Sequence, residues 1–148
     1  MTSSSMSKPH TSWPMDAAVQ AAFAAMSKRA GNVLLQVRER ILAQSAANAA
    51  IGPVTETLKW GQPSYLTDQT KAGSTLRLGT TKKDKEPAIF VHCQSGLAEE
   101  IRDLYGDTLS VPDKRHIVLP DTIEDHTDAL DHIIALILTY HARKHSRH

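Results

Sequence analysis

The chain contains a single cysteine, Cys93. One thiol excludes an internal disulfide and any zinc site built from several cysteines, and folding without bridges fits a reducing cytoplasm. An excess of one charge is also lacking: 17 basic residues against 16 acidic ones leave a formal net charge of +1. That balance argues against a dedicated nucleic-acid binder held by bulk electrostatics, while leaving room for a local basic patch. No apolar run approaches the ~20 residues that a bilayer demands. The longest is Ile133 to Leu138, and the opening "MTSSSMSKPHTSWP" lacks the apolar core of a secretory signal. A soluble cytoplasmic protein without a membrane partner is therefore expected. Nor is any glycine-rich loop spaced to cradle phosphate, since "TLRLGTTKK" has the wrong pattern, so nucleotide hydrolysis is set aside.

What the chain does contain is an ordinary globular mixture, 41% apolar and 22% charged residues over 148 positions. That length suits one domain, able to bury about two thirds of the surface its unfolded form exposes. We read residues 1–14 as a flexible tail, 15–143 as a single α+β domain and 144–148 as a basic tail. Val19, Phe23 and Met26 share one helical stripe, and after "AGN" a second helix carries Leu34, Val37 and Ile41, with Arg38 and Arg40 turned to water or a partner. Gly52 and Pro53 stop it. Strands are expected over Val54 to Trp60, Ser74 to Thr81 and Ala88 to Gln94. A short helix follows, carrying Leu97, Ile101 and Leu104 and ended by Gly106; then come the short strands "TLSV" and "RHIVL". Asp121 and Glu124 have the spacing of a capping box before a last helix striped by Leu130, Ile133, Ile134, Ile137 and Leu138. The order implies a two-layer α+β sandwich, α-β(3)-α-β(2)-α, with a mostly antiparallel five-stranded sheet and helices on one face.

Such a sheet leaves one face bare, and strand alternation names its side chains. If Leu58, Trp60, Leu76, Leu78, Ile89, Val91, Ile117 and Leu119 meet the helices, the opposite parity holds Thr57, Lys59, Thr75, Arg77, Phe90, His92, Gln94 and His116. This is a polar platform with one aromatic ring and several cationic groups, suited to something flat or anionic; it is also what a solvated sheet face looks like. Beside it, "ETLKWGQPSY" places Glu56 toward the core, where its carboxylate requires a partner that Arg38 or Arg115 could supply. Gly61 and Pro63 let the chain leave its strand, and Tyr65 is expected to fold back over Trp60. The candidate ligand-binding residues are Glu56, Lys59, Trp60, Tyr65, Arg77 and His92.

"ETLKWGQPSYLT", "GSTLRLG", "FVHCQSGL" and "ALDHIIALILTYH" together resemble the YdhG-like family of small bacterial proteins of unknown function, over roughly Val33 to His141. The core of the likeness is Trp60, Gly61, Pro63 and Tyr65. The resemblance implies a two-layer fold like that of secretion chaperones. Some relatives have been proposed as frataxin-like iron chaperones, a role that would need gathered oxygen ligands. Here the first helices offer only Asp16 and Glu39; acidic residues collect instead at Glu99, Glu100 and Asp103 and along Glu124 to Asp131, on helix faces opposite the apolar stripes.

Catalytic constellations are sparse. His92 and Cys93 are neighbours on one strand and project to opposite faces, so they cannot share a proton directly. His92 has no evident nucleophile to serve. His141 and His145 stand four apart near the terminus and make a weak metal pair beside Arg143, Lys144 and Arg147. The expectation is a non-catalytic binding domain for a small molecule or a protein, with no cofactor and no metal. Its sheet edges could pair two copies. Iron delivery is the alternative, and an enzyme using His92 the second alternative.

Overall fold

In the computed structural model, which describes residues 13–146 without the side chains of residues 145 and 146, Asp16 opens the first helix. Its carboxylate accepts the Ala18 N–H at 3.2 Å and caps α1 (Ala17–Ala24). The chain breaks at Ala25–Ser27 rather than at "AGN", because the Ser27 hydroxyl accepts the Ala30 N–H at 3.1 Å and starts α2 (Lys28–Ala47) there. Ala30 and Gly31 are buried inside α2, small enough for α1 to lie close. Of the anticipated N-terminal tail, residues 1–12 lie outside the described residues. The anticipated basic tail begins within a helix, α5 (Tyr140–Ser146).

Five strands follow as a simple antiparallel meander, β1 (Thr55–Lys59), β2 (Gln62–Leu66), β3 (Leu76–Thr80), β4 (Pro87–Phe90) and β5 (His116–Val118), adjacent in that order. The α+β class and the five-stranded antiparallel sheet are as the alternation implied. The distribution of strands is not: four precede α3 (Leu97–Tyr105) and one follows it. The additional early strand is "QPSYL", disguised by Pro63, since proline cannot donate to a ladder. Pro63 is tolerated because Lys59 and Gln62 flank the hairpin turn as a hydrogen-bonded pair, so the next pair, Leu58 with Pro63, is a non-bonded one. The proline nitrogen then faces β3, beyond the two registered pairs, Ser64–Arg77 and Tyr65–Leu76. "TLSV" supplies only a bridge from Ser110 to Val118.

The helical layer covers one face. Leu34, Val37 and Ile41 from α2, and Ile133, Ile134 and Ile137 from α4 (Thr127–Leu138), are fully buried together with Leu76, Leu78, Ile89 and Ile117 of the sheet. Each such side chain withdrawn from water contributes about 1.5–3 kcal/mol before chain entropy is counted. The capping box at Asp121 and Glu124 does not form. Asp121 pairs instead with Arg29, Glu124 sits in a 3-10 turn (Ile123–His126), and α4 begins after it. The loop before β3 is anchored by the Ser74 N–H, which donates to the Ile137 carbonyl at 2.9 Å. No helix among the described residues is long and apolar enough to cross a membrane.

Candidate functional site on the open face of the sheet

Glu56 and Tyr65 stand opposite each other in the β1–β2 register, and both turn toward the helices. There Arg38 waits on α2, 1% exposed. Its Nε donates to Glu56 Oε2 at 2.5 Å and its Nη2 to Oε1 at 2.9 Å, a bidentate pair; Nη2 also donates to the carbonyls of Trp13 and Pro14. The Tyr65 hydroxyl donates to Glu56 Oε2 at 2.7 Å. The Glu56 hydrogen bond holds the Arg38 pKa above its ordinary value against the opposing effect of burial. Burial, reinforced by the Glu56 charge, pushes the Tyr65 phenol far up, so it stays a neutral donor. Glu56 therefore finds the partner its core-facing parity required. Arg38, far from facing water, finds its partners within the fold.

Trp60 goes the other way. It does not pack under Tyr65: Trp60 is 89% exposed, while Tyr65 is fully buried. Trp60 and Gly61 are the two central residues of the β1–β2 hairpin turn, with φ of 58° and 74°. Two successive positive φ values give a turn of type I′, whose twist suits the paired strands. Glycine takes this conformation freely, whereas tryptophan pays roughly 1 kcal/mol or more for it. A turn residue also leaves the alternation of its strand, which is why parity misplaced this ring.

The bare face is built by register. Thr57, Ser64, Arg77, Phe90 and His116 pair in succession across all five strands. Above them, Lys59 pairs with Gln62, and Gly79 with Ala88 and then Val118. Gly79 leaves a gap in which the Gln62 side chain lies; a Cβ there would collide with its amide. From that position Gln62 Oε1 accepts a hydrogen bond from Arg77 Nη1 at 3.0 Å. The Arg77 guanidinium carbon stands 6.0 Å from the centroid of Phe90, and Phe90 stacks on His116 with centroids 5.4 Å apart and planes 25° from parallel. His116 Nδ1 lies 3.0 Å from Asp113 Oδ1, which also accepts the backbone N–H groups of Arg115 and His116.

Arg77 is half-buried, and among the described residues its hydrogen-bond partner is a neutral amide rather than a carboxylate. Loss of hydration accordingly lowers its pKa. At Asp113 burial acts to raise the pKa, but the donors from Arg115 and His116 outweigh it and hold the carboxylate below its usual range.

Of the six anticipated residues, Arg77 alone sits at the centre of this face. Lys59 lies exposed at the hairpin end of β1, and Trp60 projects from the turn. Glu56 and Tyr65 belong to the buried network. His92 falls beyond the end of β4, exposed, with its Nδ1 accepting the Gln94 N–H; among the described residues no hydrogen bond or ring contact joins it to Arg77. Gln62, Phe90, His116 and Asp113 complete the site instead. Phe90 and His116 share the parity of Arg77 and were legible as its neighbours. Gln62 was hidden by the proline that masks its strand, and Asp113 by its place in a loop.

Chemically, the face offers a cation, donor groups and a flat ring stack. The His116–Asp113 pair resembles an oriented base, yet among the described residues no hydroxyl or thiol is hydrogen-bonded to the ring of His92 or His116. No three His, Cys, Asp or Glu side chains among the described residues gather to hold a metal ion. Carboxylates considered for iron are engaged in part: Glu100 pairs with Arg143 and Asp131 with Arg40. The side chain of His145, the second half of the terminal histidine pair, lies outside the described residues. A cleft of about 530 Å³ opens between the N-terminal segment and α2, lined by Trp13, Met15 and Leu35, and holds none of the six. No family model, curated protein or solved structure matches this chain.

Proposed function

We propose that this protein is a non-catalytic binding domain that takes a flat, anionic ligand on the open face of its sheet. The observation that carries the reading is Arg77: a half-buried guanidinium held by a neutral amide and flanked by a stacked Phe90–His116 pair. A cation that has lost water without gaining a counter-ion costs stability, so an incoming carboxylate or phosphate supplies what the fold withholds. Gln62 fixes the orientation of the fork, and the rings offer a planar surface for an unsaturated ligand. A reducing cytoplasm is the setting we assign, on the basis of the single free thiol, Cys93. Membership of the YdhG-like family is part of the same proposal, resting on the Trp60–Tyr65 segment.

Calorimetric titration with phenyl phosphate, benzoate and inorganic phosphate tests the reading. The aryl anions are expected to bind more tightly than phosphate, and Arg77→Met to remove most of that binding while the thermal midpoint holds. Equal affinities in the parent and Arg77→Met would sink the assignment.

A further inference from the structure

The antiparallel meander carries two loops to one end of the sheet. β1 and β3 run in the same direction, so the Trp60–Gly61 turn after β1 and the turn after β3 emerge side by side. The second turn brings Lys82, Lys83 and Lys85, all exposed. With Lys59 they make four exposed lysines at the end of the sheet from which Trp60 projects. Of the two acids among them, Glu86 is paired with Arg29 and only Asp84 opposes the patch. A net charge of +1 for the whole chain conceals this local concentration.

From this end the open face descends through Gln62 to Arg77, Phe90 and His116. The order is thus an exposed tryptophan near lysines, then a guanidinium held by a neutral amide, then a stacked ring pair. Trp60 takes no part in the core and is held at a positive φ, so neither packing nor local backbone preference accounts for its presence there. An exposed indole beside lysines, and a part-exposed guanidinium with a stacked ring pair on the sheet face, match a polymer that carries both flat groups and anions.

Resting on the open-face reading above, we infer that the ligand is single-stranded nucleic acid, with bases stacking on Trp60 and on the Phe90–His116 pair and phosphates meeting Lys59, Lys82, Lys83 and Arg77. A duplex hides its bases and offers these rings nothing to stack on. An acidic protein segment would satisfy the lysines but leave the ring surfaces without flat partners.

The test uses the full chain carrying Trp13→Phe, so that Trp60 is the remaining indole, and titrates it with a short oligothymidylate, the matching duplex, polyaspartate and phenyl phosphate. The single strand is expected to quench Trp60 fluorescence and to bind at least about tenfold more tightly than the duplex. Its affinity should fall with salt at a log–log slope of about −2 to −3, the value for three to four phosphate contacts on a single strand. Trp60→Ala, read by anisotropy of a labelled strand, is expected to weaken binding about tenfold. Lys82→Ala with Lys83→Ala should flatten the salt slope by about 1.4. Both sets of changes lie in exposed turns, and circular dichroism checks that the fold persists. If the strand fails to bind at about 0.1 mM while phenyl phosphate still binds through Arg77, the inference is overturned and the open-face site stands. If neither binds, both fall. Polyaspartate binding as tightly as the strand would mark an acidic-protein surface, and a duplex matching the strand would remove the stacking argument; either result overturns the inference.

Discussion

Two arginines, one on each side of the same sheet, show what the fold does with charge. Arg38 is the more deeply buried, yet its Nε and Nη2 meet four oxygens, two from Glu56 and one each from the Trp13 and Pro14 carbonyls, and its Nη1 lies 3.7 Å from Glu39 Oε2. Arg77 is less buried and meets one neutral amide. The first is part of the architecture, linking α2, β1 and the N-terminal segment. The second, on the opposite face, has that one side-chain acceptor among the described residues. Burial alone therefore does not mark a structural charge; the completeness of its partners does.

The sharpest way to break this contrast is Arg38→Met. It leaves the Glu56 carboxylate in the interior with only the Tyr65 hydroxyl, and a loss of about 3–5 kcal/mol is expected in urea unfolding. Adding Glu56→Leu should recover much of that loss, because the cost lies in the abandoned charge. Tyr65→Phe removes one hydrogen bond to the same carboxylate and is expected to cost about 2 kcal/mol. Arg77→Met, on the opposite face, should change stability by no more than about 0.5 kcal/mol, since no buried anion is left behind. A loss at Arg77 as large as that at Arg38 would erase the distinction.

The smallest effect concerns Asp113, whose folded pKa is depressed. A depressed carboxylate contributes stability above its unfolded pKa of about 3.9, and that contribution disappears as pH falls through the lower folded value. Urea midpoints measured between about pH 5 and 2 should show a shallower decline in Asp113→Asn than in the parent. The difference should be under about 0.5 kcal/mol, because the side chain is half exposed and screened by water. An unchanged slope would mean that the His116–Asp113 pair is not coupled to folding.

Much of this arrangement was legible in the chain, and the illegible parts share a cause. The alternation of Leu76, Arg77, Leu78 and of Ile89, Phe90 assigned these residues to their faces correctly, because strand alternation is a property of the backbone itself. The core-facing parity of Glu56 likewise implied a cationic partner. Pro63 hid a strand because a proline within a strand is acceptable only where its nitrogen faces no ladder bond, and that depends on what lies on each side. His92 was placed on β4 because nothing local marks where pairing with β3 and β5 ends.

By itself, then, the sequence determined the α+β class, the apolar stripes that make one layer of helices, and the polar parity that Arg77, Phe90 and His116 share. Only the tertiary structure decided that Arg38 rather than Arg115 would meet Glu56, that Tyr65 would be buried and Trp60 expelled, and that a cryptic strand would carry Gln62 onto Arg77. Periodicity belongs to a segment and can be read within it. Register, turn conformation and the pairing of charges belong to segments far apart in the chain, whose relative positions are fixed by all their contacts together.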